Sequence, residues 1–342
     1  MLERGLKKTL LVLTIAIAPT AAAAQQAGGT AAVLTTRHFA FFSDLATNVN
    51  DALIAAANAR GAKQPDPVAD GEGKACFDSL SVDDRQGWAR AVDYYVAGKS
   101  TRFQRILLRL ELASLVQRDG VSDPANRQVL GEFAAMRAAA APAYRRCRWA
   151  ANDAQNRRWI EGVAPLLAAH EAALGEQLPQ LFKVPWEGLP FRVDVVQSGP
   201  PLGADSASPD FPTLHILVSS SHSGNQRLAA LEIVFHEATH FLTGPESRLS
   251  NALASAFRDA GISAPPNFVH QVHFFMTGEA VRRTVARTTG ESYTPYLYAN
   301  RLFSDSFRDA ASRTWPAYMD GKRTLEEAAA DLVRAMNPRQ PR

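Results

Sequence analysis

Apolar residues recur along the chain at two different periods, and the change of period divides it. From Arg37 onward the repeat is three and four: Phe39, Phe42, Leu45, Val49 and Leu53, then Trp88, Val92 and Tyr95, then Phe103, Ile106, Leu107, Leu110 and Leu115. That repeat lines up side chains on one face of a helix. The breaks fall where helices stop. Residues 61–74, rich in Gly, Pro, Asp and Lys, are predicted to form a loop; Ser81 ahead of Asp83 and Asp84 opens a helix; Gly98 and Gly120 close two. Residues 126–141 and 144–181 are predicted helical, interrupted at Pro142 and Pro165. After Val184-Pro185-Trp186 the period falls to two. Phe191–Val196 alternates and is β-branched; in Thr213–Ser219, Leu214, Ile216 and Val218 form one apolar face, with Thr213, His215, Leu217 and Ser219 on the other.

His222, Gly224 and Asn225 then make a turn into 226–242, predicted as one helix with Leu228, Leu231, Val234, Phe235, Ala238 and Leu242 as its stripe. Helices carrying Leu302, Phe303, Phe307, Trp315 and Leu332 follow, and the tail from Asn337 is polar. The pattern predicts an α+β, predominantly helical chain. A helical N-terminal lobe spans 37–185. The lobe at 186–342 packs a small sheet on helix 226–242 and ends in a helical part.

The first residues change this picture in one respect. Arg4, Lys7 and Lys8 precede a short apolar run, Leu10–Ala18, and Pro19 with Ala21–Ala24 supplies small residues. Residues 1–24 therefore read as a secretory signal peptide, the run being too short to span a bilayer. No cysteine lies at the cleavage region to carry a lipid, and no later stretch is apolar enough to span a membrane. The implied location is periplasmic or secreted, which permits a disulfide between the two cysteines, Cys76 and Cys147. With Glu3, the basic residues of this segment account for two of the three net positive charges of the chain, so nothing in its charge points to nucleic acid or an acidic membrane.

Helix 226–242 carries the chemistry. It contains His236-Glu237-Ala238-Thr239-His240, with Glu237 as the single charge in the apolar stretch 233–242. His236 and His240 lie one turn apart on one face and can address one metal ion, and Glu237 sits beside them as a general base. Buried histidines and a buried glutamate need partners, since burying them unpaired is costly.

This motif resembles the zincin superfamily of metallopeptidases, with strands ahead of the motif helix as in that architecture. The resemblance covers roughly residues 186–300, and the order of elements is also similar to bacterial exported proteins with a His-Glu-Ala-Ser/Thr-His helix. It implies Zn²⁺ as cofactor, a third protein ligand and a water in the open position. In the gluzincin branch the third ligand is a glutamate on a following helix, which here is Glu279, although Gly278 stands where an asparagine is usual and Glu279 lies 39 residues beyond His240. The metzincin alternative would use Glu246, but Thr243 replaces the required glycine. His270 and His273 are further alternatives. On a straight helix they face away from Glu279, so His270 is expected to act beside the metal, on the oxyanion or on Glu279.

Tyr293, Tyr296 and Tyr298 offer hydroxyls for the same task. His38 and His170 are expected to be packing or surface residues, and Arg282 and Arg283 can pair with a carboxylate or a substrate. The implied activity is zinc-dependent hydrolysis of peptide bonds in a peptide or protein, with Glu237 as general base and then acid. The alternative is an exported helical protein with a structural or vestigial zinc site, and the sequence leaves the oligomeric state open.

Overall fold

The computed structural model describes residues 31–97, 108, 124–200, 202–206 and 214–337; the expected signal peptide at 1–24, most of the predicted helix at 103–115 and Thr213 lie outside them. Five strands form one mixed sheet: β1 (Leu34–Thr35), β2 (Phe39–Phe42), β3 (Phe191–Val196), β4 (Ala204–Ser206) and β5 (His215–Ser219), in the order β1-β2-β3-β5-β4. The three central strands run parallel, with Phe39 opposite Phe191 and Arg192 opposite His215, and the short outer strands pair antiparallel.

The strands predicted at 191–196 and 213–219 are present, the second from His215. The helical reading from Arg37 is corrected. Phe39 and Phe42 stand three apart, as on one face of a helix, but four residues are too few to fix a period, and pairing with β3 decides it. Phe39 and Phe41 are fully buried on one face of the strand, and the helix begins only at Leu45, where the Asp44 carboxylate accepts from the Thr47 N–H.

The two sheet faces differ chemically. Phe39, Phe41, Phe191, Val193, Val195, Ile216 and Val218 enter the larger apolar core. On the other face, Arg192 donates two hydrogen bonds to Asp194, at 2.8 and 2.9 Å, and His215 Nε2 lies 2.8 Å from the same carboxylate. Burial alone would raise the Asp194 carboxyl, but the Arg192 guanidinium and the His215 ring hold it down to about 2.

The helices sort into two cores. Helices α1 (Leu45–Gly61), α2 (Lys74–Asp78), α3 (Val82–Val96) and α4 (Pro124–Tyr144) enclose the smaller core, which includes Val49, Leu53, Trp88, Val92, Tyr95, Phe133 and Tyr144. Helix α5 (Ala150–Phe182) instead joins the sheet through Trp159, Val163, Leu167, Leu174, Leu178 and Phe182. The change of period near residue 185 is real, yet the larger core reaches back across it to take in β2 and α5. Helix α5 also runs unbroken past Pro165, which is exposed, so the carbonyl it leaves unpaired can reach water. Pro142 lies inside α4, and a π-type turn at Arg145–Trp149 follows.

Five helices complete the larger core: α6 (Leu228–Thr239), α7 (Arg248–Asp259), α8 (Phe268–Thr289), α10 (Asp305–Met319) and α11 (Leu325–Met336), with the short α9 (Tyr296–Ala299) between α8 and α10. Among the described residues no helix is long and apolar enough to cross a membrane.

Cys147 in the π-type turn is bonded to Cys76 on α2, as the cysteine pair predicted, and the bridge closes a loop of 71 residues. Such a crosslink is compatible with an oxidising compartment. Replacing both cysteines with serine should lower the free energy of unfolding by about 4 kcal/mol on the chain-entropy account. Urea denaturation checks this; an unchanged midpoint and slope would mean that the bridge adds nothing to stability.

Candidate metal centre

Helix α6 is buried almost throughout, and from Leu231 to Thr239 every residue is inaccessible or nearly so. It opens after Arg227, whose φ of 54° is unusual for a residue with a side chain, and tightens to a 3₁₀ turn at His240–Leu242. Helix α8 packs against it and opens after Asn267, also at positive φ. His236 and His240 therefore stand one turn apart on α6 and its extension, and His270 and His273 one turn apart on α8. The packing brings the four together: one nitrogen from each lies within 4.8 Å of all the others.

His236 Nε2 and His270 Nε2 face each other at 3.2 Å. The His236 and His273 rings stack at 4.4 Å, only 10° from parallel, and the His240 ring lies 4.8 Å from His236 and 5.1 Å from His270. Phe274 packs on His236 at 3.9 Å, and Phe303 edges onto His270. His236 and His273 are buried, while His240 and His270 stay half-buried.

Burial sets the protonation state. Removal from water drives all four imidazoles below their ordinary value, His236 and His273 far below and His240 to about 3, and mutual repulsion adds to this at His236, His240 and His273. At neutral pH the cluster is uncharged and presents lone pairs, the form that binds metal. Two further observations fit an ion. The 3.2 Å between His236 and His270 nitrogens is close to the ~3.4 Å that two imidazoles adopt at a tetrahedral angle with bonds of about 2.1 Å. His273 Nδ1 is buried without a hydrogen-bond partner, a lone pair open to an ion.

Glu237 belongs to this site: its carboxylate lies 4.0 Å from His240 Nε2. Glu279 does not. It sits two turns beyond His273 on α8 and outside the four-histidine group, where Arg282 binds both its oxygens at 2.6 and 2.7 Å and Arg283 binds one at 2.7 Å. Burial pushes the Glu279 carboxyl upward, and the two guanidinium groups more than offset it. The expected glutamate ligand is thus a local ion pair at spacings of three and four, and α8 turns its histidines to α6 instead. His270, expected beside the metal, lies among the candidate ligands. Glu246 is exposed in the turn before α7 and also lies outside the group. His38 and His170 are packing residues, held by Glu171 and Thr288.

One carboxylate escaped sequence reasoning. Glu232, one turn before His236, is completely buried, and its Oε2 accepts from the Tyr293 hydroxyl at 2.7 Å and the Tyr296 N–H at 3.0 Å. Two of the three tyrosines thus serve Glu232, Tyr293 through its hydroxyl and Tyr296 through its backbone. The second oxygen has no partner. Gly278 on α8 makes room for it, since a Cβ there would lie 2.8 Å from Oε1 and 2.9 Å from Pro295. The signal was available in principle, as Glu232 stands at helical spacing from His236.

No family model matches the chain, and no curated protein or solved structure matches it.

Burial lifts the Glu232 carboxyl to about 7 against the pull of Tyr293 and Tyr296. A carboxyl raised in the folded state stabilises the fold fully below its ordinary value near 4.5, and this contribution is lost as pH rises through about 7. Glu232→Gln cannot ionise. Its stability relative to wild type should therefore improve by an amount on the order of 3 kcal/mol between pH 4 and pH 8. Chemical denaturation of both proteins across that range tests this, and parallel pH profiles would contradict it.

Proposed function

We propose that this chain is a zincin-like, zinc-dependent hydrolase acting on peptide bonds in the periplasm or outside the cell. The observation that carries the reading is the meeting of four imidazoles with the carboxylate of Glu237 on two packed helices. Three of the four candidate ligands, His236, His240, His270 and His273, would hold the ion and leave a position for water. Imidazole donors suit zinc among several transition metals, and Glu237 beside them favours a hydrolytic role. When bound, zinc would supply Lewis-acid chemistry, polarising a carbonyl and acidifying a water.

The remaining work falls to the protein. Glu237 is placed to accept a proton from an attacking water and return it to the leaving amine. Phe274 shields His236 and Phe303 covers one side of His270, which strengthens the electrostatics beside them. Location outside the cytoplasm is supported by the signal-like first residues and by the disulfide.

A second reading is favoured by the fourth histidine. Four protein ligands fill a tetrahedral shell, as in structural zinc sites, and a protein closed in this way would bind metal without hydrolysis. Glu237→Gln separates the two. On the hydrolase reading this variant keeps its metal and loses turnover of a peptide substrate by about 100-fold or more. Wild-type turnover in the variant, or no turnover in a metal-loaded wild type over a broad peptide library, would leave the closed site as the reading.

A further inference from the structure

Thr239, inside the motif, makes contacts that sequence alone does not assign. Its Oγ1 lies 3.0 Å from the His236 carbonyl oxygen, 2.6 Å from His273 Nε2 and 3.0 Å from Thr277 Oγ1. All four residues are buried, so water does not complete their hydrogen bonds. A hydroxyl has one proton to give and two lone pairs to accept. The carbonyl can only accept, so the Thr239 proton goes there. The Thr239 oxygen then accepts from Thr277 and from His273 Nε2–H, and every valence of the hydroxyl is used.

The opposite arrangement fails this accounting. If Thr239 donated to His273 Nε2, the ring proton would sit on Nδ1. That atom is buried with no acceptor, with the Phe182 ring edge-on to His273 at 5.5 Å and His236 stacked on its face. An orphaned buried N–H is costly, whereas a bare lone pair awaiting an ion is what a ligand requires.

We propose that Thr239 is a positioning residue that locks His273 as the Nε2–H tautomer and so makes it a metal ligand through Nδ1. Thr277 completes the hold from α8. One side chain of the motif helix thereby organises a ligand on the neighbouring helix. This rests on the metal-binding reading and is indifferent to whether the site hydrolyses anything.

The test has two parts. In the metal-free full-length protein, ¹⁵N chemical shifts of the histidine rings report the tautomer directly. His273 should carry its proton on Nε2, and a proton on Nδ1 would overturn the proposal. Second, Zn²⁺ affinity is measured by competition with a chromogenic chelator for wild type, Thr239→Val and Thr239→Ser. Loss of a group that orients a ligand typically weakens binding about 10- to 100-fold, and that loss is expected for valine, with serine close to wild type. Equal affinity in the valine variant would overturn the proposal. If valine disrupts folding, the wild-type tautomer still decides. Failure of the wild type to bind zinc would fell the metal reading itself, whereas zinc uptake with an Nδ1–H His273 would fell this inference alone.

Discussion

Four imidazoles buried between two helices are the constraint on which the rest of the structure depends. His236 and His273 are fully buried and His240 and His270 half-buried, and protonation is disfavoured because positive charges at 4–5 Å would repel in a poorly screened interior. The protein meets the cost partly through hydrogen bonds, with Thr239 serving His273, and leaves other nitrogens bare. On the proposed reading, a shared cation would satisfy several of them at once.

The surroundings keep α6 and α8 in register for this purpose. Thr239 and Thr277 join the helices beside the histidines. One turn further along, Gly278 lets the backbone of α8 approach the Glu232 carboxylate, which in turn holds Tyr293 and the start of α9. The sheet backs α6 through Phe39, whose ring meets Phe235 edge-on, and α5 backs α8 through Phe182 and His273. The larger core therefore gathers segments from both sides of the smaller helical core, and the two histidine-bearing helices lie within it.

Much of this could be read from the residues alone, and the gaps have physical causes. His236, Glu237 and His240 share one turn, so local spacing was enough to place them together. The strand at 191–196 and the faces of 214–218 followed from strict alternation. By contrast, β2 spans four residues, too few to fix a period, and its assignment depends on a partner strand some 150 residues away. The third ligand posed the same difficulty. Glu279 fitted a family template, yet Arg282 and Arg283 at three and four residues distance were a local signal that its charge was already spoken for. His270 and His273 needed only an unkinked helix facing α6, and that facing is a tertiary fact. Glu232 went unnoticed because its partners come from residues more than sixty positions downstream.

The central claim is that the metal is held by histidines from two helices and not by the glutamate that the motif family would supply. The most direct test is elemental analysis of the purified mature protein after zinc reconstitution and desalting, with wild type, His270→Ala and Glu279→Ala measured side by side. The account predicts one zinc per chain in wild type and in Glu279→Ala, and a weakened or lost site in His270→Ala. Zinc lost from Glu279→Ala and kept in full by His270→Ala would contradict it.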